Sequence, residues 1–70
     1  MVISKIGSTI RDRRKELVIP QQVLAEIAGV SKNTIYKIER GQGNPTIKVL
    51  TDLLEVLGLE ISIQPKSVDL

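Results

Sequence analysis

The middle of the chain contains two short stretches in which apolar residues recur at helical spacing, separated by Gly29-Val30-Ser31. Gly29 can adopt the left-handed backbone that ends many helices, and the Ser31 hydroxyl can cap free N–H groups of a following helix. The pattern therefore predicts two helices joined by a tight turn. Their expected buried positions are Leu24, Ala25, Ile27 and Ala28 in the first and Ile35 and Ile38 in the second.

A further helix is predicted before this pair, from about Lys5 to Leu17. Ile6, Ile10 and Leu17 fall on one helical face. We expect the basic residues between them to form a solvated face, made of Arg11, Arg13 and Lys15. Pro20 is tolerated at the start of the next helix, where its missing N–H costs little.

A fourth helix is predicted from about Thr46 to Leu57, because Pro45 disfavours helical backbone at the residue before it and Gly58 follows the last apolar position. Its apolar residues cover roughly half of the helix circumference. Two interpretations remain open for this broad face, a central core helix or a surface that contacts a second chain. In the second interpretation the contacting residues are Val49, Leu53 and Val56.

The segment after Gly58 alternates apolar and polar residues from Leu59 to Gln64, which predicts a half-buried β-strand ending at Pro65. A lone strand leaves its backbone hydrogen-bonding groups unpaired, so it needs a partner. Residues 1–4 are one candidate partner. The candidate we favour is the same strand of a second subunit, paired about a two-fold axis through Leu59, Ile61 and Ile63. The predicted domain spans residues 1–64, with a short tail at 65–70.

Composition excludes several classes of function. The 70 residues include no Cys and no His, so a disulfide, a thiolate metal site and imidazole catalysis are excluded. The carboxylates are scattered, and no phosphate-binding glycine loop is found, so we expect neither an enzyme nor a cofactor or metal. The net charge is +2 and the isoelectric point is about 9.2, with basic residues clustered around the third predicted helix.

No apolar run is long enough for a membrane span, and the first residues lack a secretory pattern, so the protein is expected in the cytoplasm without a membrane partner. The single aromatic residue, Tyr36, provides no stacking platform for single-stranded nucleic acid. Among nucleic acids, double-stranded DNA is the better fit.

The spacing Gln21-x-x-Leu24-Ala25-x-x-x-Gly29-Val30-Ser31-x-x-Thr34-Ile35-x-x-Ile38-Glu39-Arg40-Gly41 resembles the signature of the XRE/Cro/cI helix-turn-helix family of repressors. The likeness extends from about Ile6 to Leu57. It implies a mainly α fold, a lambda-repressor-like bundle of four helices. The added C-terminal strand resembles the HipB-type branch, in which such a strand forms a lid between subunits. Unlike most members, this chain has Val18-Ile19-Pro20 where a Gly and then Thr or Ser are usual.

The resemblance also implies which residues contact DNA. Lys32, Asn33, Thr34 and Lys37 match positions that contact bases or phosphates, and Tyr36 lies beside them. Gln21 matches an amide that contacts phosphate and braces the recognition helix. The complete set of expected DNA-binding residues is Gln21, Ser31, Lys32, Asn33, Thr34, Tyr36, Lys37, Arg40 and Thr46. Arg14 and Glu39 match a structural ion pair that ties helix one to the end of the recognition helix.

The function implied is that of a sequence-specific, homodimeric repressor. The geometry known for lambdoid repressors implies a palindromic operator with half-sites about 34–36 Å apart. An alternative, suggested by the lid-like strand, is an antitoxin that binds a toxin protein and regulates its own operon. A third interpretation is a protein-interaction module that has kept the fold without binding DNA.

Overall fold

The computed structural model describes residues 3–63 and residue 65, and it is built from four α-helices. They are α1 (Ile3–Glu16), α2 (Gln21–Ala28), α3 (Lys32–Glu39) and α4 (Ile47–Val56). Helix α3 packs against both α1 and α2, and α2 also packs against α4. All regular secondary structure in the described residues is helical, which confirms the expectation of a mainly α fold with four helices.

The helix ends follow from local capping. Gly29 ends α2 in the left-handed region with φ of 73°. The Ser31 hydroxyl accepts a hydrogen bond from the Thr34 N–H at 3.1 Å at the start of α3. Thr46 does the same for the Val49 N–H at the start of α4, also at 3.1 Å. These bonds satisfy donors that a helix leaves free at its first turn, so the turn between α2 and α3 is fixed at both ends.

One hydrophobic core lies between the helices. Each fully buried Leu or Ile side chain contributes about 1.5–3 kcal/mol to folding through removal from water. The core residues are Ile10, Leu24, Ala25, Ile35, Ile38, Leu50, Leu53, Leu54 and Leu57. Because α4 supplies three of them, the core-helix interpretation of its apolar face holds for that part of the helix.

Three residues expected to be buried or at an interface need correction. Ile27, expected on the buried face of α2, is 61% exposed, and Leu17, expected on the apolar face of the first helix, is 40% exposed. Leu53, expected at a dimer surface, has no exposed area and packs in the core of its own subunit. Helical periodicity places residues on one face, but it does not say which of them a neighbouring helix covers.

The α1 helix makes two close approaches to other elements. A Cβ atom built on Gly7 would overlap the main-chain carbonyl oxygen of Ile38, so only glycine allows α1 to cross the end of α3 at this distance. Further along, the Arg13 Nε donates to the carbonyl oxygen of Leu57 at 2.9 Å. Arg13 therefore ties α1 to the end of α4, which corrects its assignment to a purely solvated face.

The connection between α1 and α2 has an unusual backbone. Val18 adopts φ of 56°, the left-handed region in which β-branched residues are rare. Its N–H donates to the Lys15 carbonyl and the Ile19 N–H to the Arg14 carbonyl, each at 3.0 Å. Pro20 precedes α2 in an extended conformation without a side-chain cap. The chain thus makes, with valine, the helix-ending turn that glycine usually makes.

The segment after α4 runs without regular secondary structure through residues 59–63. Leu59 and Ile61 pack partly against the core, whereas Ile63 is 88% exposed. The expected strand is therefore not seen in these residues, and Gln64 lies outside the described part of the chain, as do residues 66–70 of the expected tail. The alternative pairing with residues 1–4 is contradicted where it can be examined, because Ile3 and Ser4 belong to α1.

Candidate nucleic-acid interface

Helix α3 divides sharply into a buried and an exposed side. Ile35, Ile38 and Glu39 are buried. The exposed residues are Lys32, Asn33, Tyr36, Lys37 and Arg40. At 100° per residue, the three central outward positions, 33, 37 and 40, lie within an arc of about 60° opposite the buried side. The outward face is therefore polar, basic and free of core contacts.

The first turn of α3 is organised by two hydroxyls. The Ser31 Oγ and Thr34 Oγ1 atoms lie 2.8 Å apart, in addition to the cap bond from the Thr34 N–H. Both hydroxyls are therefore engaged in local structure. A capped helix start directs its positive dipole end outward, which favours an approaching phosphate.

Three side chains join α1, α2 and α3 behind this face. The Arg14 Nε and Nη2 atoms donate to the two Glu39 carboxylate oxygens at 2.7 and 2.9 Å. The Gln21 Nε2 donates to Glu39 Oε1 at 3.1 Å, and Arg14 Nη1 donates to the Ile19 carbonyl at 2.9 Å. The Glu39 side chain is only 4% exposed. The network fixes the last turn of α3 against the first residue of α2.

Electrostatics within the network favour the charged form of arginine. The hydrogen bond to Glu39 raises the pKa of Arg14 above its ordinary value, and attraction to the same carboxylate adds to this effect, while burial opposes it. Every polar side-chain atom that is fully buried within the described residues has a hydrogen-bond partner. The ion pair is therefore satisfied, as a buried pair must be to avoid a large desolvation cost.

Tyr36 and Arg40 form a second pair, on the outward face of α3. The Arg40 Cζ atom lies 5.2 Å from the centroid of the Tyr36 ring, within the range of a cation–π contact. The two residues are four positions apart, so the helix places them one turn above the other.

The loop between α3 and α4 borders the same face. A shallow depression is lined by Thr34 and Lys37 of α3 and by residues 42–45 of the loop. Thr46 follows directly, with its hydroxyl in the α4 cap. Lys48, in the first turn of α4, is paired with Asp52 at 2.9 Å, and this hydrogen bond raises the pKa of Lys48.

Sequence reasoning missed parts of this arrangement. The Gln21–Glu39 hydrogen bond joins residues on different helices, and no local pattern indicates it; only the bracing role that the family resemblance implies for Gln21 anticipated a contact with α3. The Tyr36–Arg40 contact had a usable signal in its four-residue spacing. The expected DNA-binding residues of α3 do lie on one surface, whereas the side chain of Gln21 is directed to Glu39.

Comparison with known proteins places this geometry in a family. The helix-turn-helix family model HTH_3 matches residues 10–64. An uncharacterized HTH-type transcriptional regulator of Methanothermobacter thermautotrophicus is 39% identical over 51 residues, covering 73% of this chain and 74% of that protein. A similar regulator of Haemophilus influenzae is 42% identical over 52 residues, covering 74% of this chain and 53% of that protein.

Other relatives differ in length. The ImmF control region 10 kDa protein of Bacillus phage phi105 is 30% identical over 59 residues, 84% of this chain and 66% of that protein. Against the regulatory proteins of Methanococcus maripaludis that it matches, the chain spans only 17% of their length. None of these names mentions a toxin or an antitoxin.

A solved structure supports the fold. The clp gene regulator ClgR from Corynebacterium glutamicum superposes with a TM-score of 0.79 at 24% identity, covering 84% of this chain and 63% of that one. Among the described residues, no helix combines the length and apolar character needed to cross a membrane. The match over residues 10–64, the similarity to named regulators and the capped helix pair agree, and the chain belongs to the XRE-type helix-turn-helix family of DNA-binding transcriptional regulators.

Proposed function

We propose that the protein is a sequence-specific, homodimeric repressor that inserts α3 of each subunit into successive major grooves of a palindromic operator. The observation that carries the proposal is the division of α3. Lys32, Lys37 and Arg40 are exposed and make no ion pair with any other described residue, whereas the opposite side of the helix is buried. Basic side chains left free in this way are available to bases and phosphates.

The contacts would divide into two classes. Lys32, Asn33 and Lys37 would contact base edges, since Lys can donate to guanine and Asn can bond adenine. Ser31, Thr46 and Arg40 border them at the ends of α3 and the start of α4, where phosphate contacts position the protein. Gln21 contributes by holding Glu39, and thereby the end of α3, against α2.

A second copy would complete the molecule. The apolar positions available for it are Val49, Val56, Leu59, Ile61 and Ile63, without the buried Leu53. Residues 59–64 would form a strand only when paired with the same segment of the other subunit, because a strand is stabilised by a neighbouring ladder. Such a pair related by a two-fold axis would present two α3 helices to one duplex.

Selection of bound fragments from random duplex DNA tests the proposal. The expected product is a palindrome with half-sites spaced by one helical turn, or a multiple of it, about 34–36 Å for one turn. Recovery of a single unrepeated half-site would argue against the dimer. Recovery of no enriched sequence would argue against sequence-specific binding altogether.

A salt titration separates DNA binding from a protein-interaction role. Because each neutralised phosphate releases counterions, the logarithm of the binding constant should fall with the logarithm of salt concentration, with a slope of about −0.9 per phosphate. A steep slope is expected. A flat response would favour the interaction module. Recovery of the protein from the cytoplasmic fraction of its host would be expected in either case.

A further inference from the structure

The chain has four arginines, and Arg40 is bound differently from the others. Arg11, Arg13 and Arg14 each lie within 3.3 Å of a carboxylate oxygen. Arg40 makes no hydrogen bond through its side chain and no ion pair with any residue that the structure describes; its guanidinium lies instead over the ring of Tyr36. The guanidinium of Arg40 thus contacts a neighbouring side chain without being neutralised.

The carboxylate beside Arg40 in sequence is already occupied. Both oxygens of Glu39 accept hydrogen bonds from Arg14, and one of them also accepts from Gln21. Glu39 lies about 100° from Arg40 around the helix axis and is buried. The charge of Arg40 is therefore not cancelled by its neighbour, and it remains available to an external anion.

A ring contact uses a different part of arginine than an anion does. Cation–π contact engages the flat face of the guanidinium, whereas its five N–H donors point outward in the plane of the group. The Arg40 Cζ lies over the Tyr36 ring, which is itself 46% exposed, and no N–H donor of the Arg40 side chain is bonded to another described residue. Two parallel N–H donors match the spacing of phosphate oxygens.

We propose that Tyr36 is a positioning residue that holds the guanidinium of Arg40 with its N–H edge directed at one backbone phosphate of duplex DNA. The proposal rests on the proposed function. Phosphate is favoured over a base edge because Arg40 follows the last residue of α3, whereas residues near the start of a recognition helix contact base edges. A stacked arginine also loses less side-chain freedom on binding, so the contact costs less entropy.

A double-mutant cycle measures this role. The full chain is compared with Tyr36→Leu, Arg40→Gln and the double variant, on the selected operator and on random duplex, at several salt concentrations. Arg40→Gln should weaken binding about equally on both DNAs and reduce the salt slope by about 1. Tyr36→Leu should weaken it about two- to fivefold, as expected for an exposed cation–π contact.

The decisive expectation is non-additivity. If Tyr36 acts through Arg40, the double variant should bind no more weakly than Arg40→Gln alone. Tyr36→Phe should bind like the wild type, because it keeps the ring and removes the hydroxyl. Tyr36 is also the only aromatic residue of the chain, so its intrinsic fluorescence should change when DNA is added, which reports directly on its surroundings.

Three outcomes would overturn the proposal. Additive losses in the double variant would show that Tyr36 and Arg40 act separately. A loss for Tyr36→Leu on the operator but not on random duplex would make Tyr36 a base contact, and an equal loss for Tyr36→Phe would assign the effect to the hydroxyl. If the wild type binds no duplex DNA, the proposed function is wrong. If the wild type binds DNA but the losses are additive, only the positioning role of Tyr36 is wrong.

Discussion

At the scale of single residues, the end of α3 depends on one buried ion pair. Glu39 has almost no exposed surface, and its two oxygens accept hydrogen bonds from Arg14 and Gln21. A carboxylate so placed is tolerated only while its partners remain, because an unpaired buried charge has lost its hydration without compensation. The network therefore couples the orientation of α3 to the stability of the subunit.

Arg14→Met should destabilise the fold by about 3–5 kcal/mol, since it leaves Glu39 buried without its ion-pair partner. Urea unfolding followed by circular dichroism measures the change. Arg11→Met is the matched control. Its partner Asp12 is 65% exposed, and the loss of an exposed pair should cost less than about 1 kcal/mol. Equal stability of the two variants would contradict a structural role for the network.

Lys37 is the residue whose substitution separates base recognition from phosphate binding. Lys37→Ala should weaken binding to the selected operator by about 1–3 kcal/mol and relax the base preference at one position. Fluorescence anisotropy on operator and random duplex measures both effects, with Lys15→Ala of α1 as a control for the loss of one exposed positive charge. A loss of the same size on both DNAs would reassign Lys37 to a phosphate contact.

At the scale of elements, the sequence predicted the helix boundaries marked by Gly29, Ser31 and Thr46, but it did not predict which helix residues are covered by neighbouring helices. The residues Gly29, Ser31 and Thr46 act through bonds to their own helices, so the sequence alone indicates them. Burial of Ile27 depends on how much of the eight-residue helix α2 is covered by α4. The spacing of apolar residues carries no information on that coverage. The Arg14–Glu39 pair was expected only through family resemblance, since 25 residues separate its members.

The sequence did not predict the backbone conformation of the turn after α1, whereas the structure shows Val18 there with a positive φ. Its left-handed backbone costs an L-residue about 1–2 kcal/mol, and its side chain is 85% exposed, so little burial offsets the strain. Val18→Gly should therefore stabilise the protein by about 0.5–1 kcal/mol, after the greater freedom of glycine in the unfolded chain is subtracted.

Urea unfolding of Val18→Gly and Val18→Ala tests this expectation. Alanine removes the β-branch but keeps an L-residue at positive φ, so it should gain less than glycine. A glycine variant that is less stable than the wild type would show that Val18 is not strained. Because glycine and alanine both retain the main-chain groups that bond Val18 and Ile19 to the end of α1, the DNA affinity of both variants should be unchanged when they are folded.

At the scale of the whole molecule, α3 presents basic residues without an ion-pair partner among the described residues, and the segment after α4 presents an exposed isoleucine. Ile63 follows a segment in which Leu59 and Ile61 pack on the core, yet it is itself almost fully exposed. The alternation of residues 59–64 predicts which side chains share a face of a strand. It does not identify the second strand whose backbone must pair with it, so the sequence of one chain does not determine whether the strand forms. The proposed dimer interface is therefore tested by measuring the association of two chains.

Ile63→Lys should raise the dimer dissociation constant about a hundredfold or more, since a two-fold interface would lose two buried isoleucines at about 1.5–3 kcal/mol each. Sedimentation equilibrium over a range of concentrations measures it, and operator affinity should fall in parallel. Ile27→Lys, the same substitution at another exposed isoleucine, should leave association unchanged. A wild type that stays monomeric at every concentration would refute the dimer, and equal effects of both variants would place the interface elsewhere than at residues 59–64.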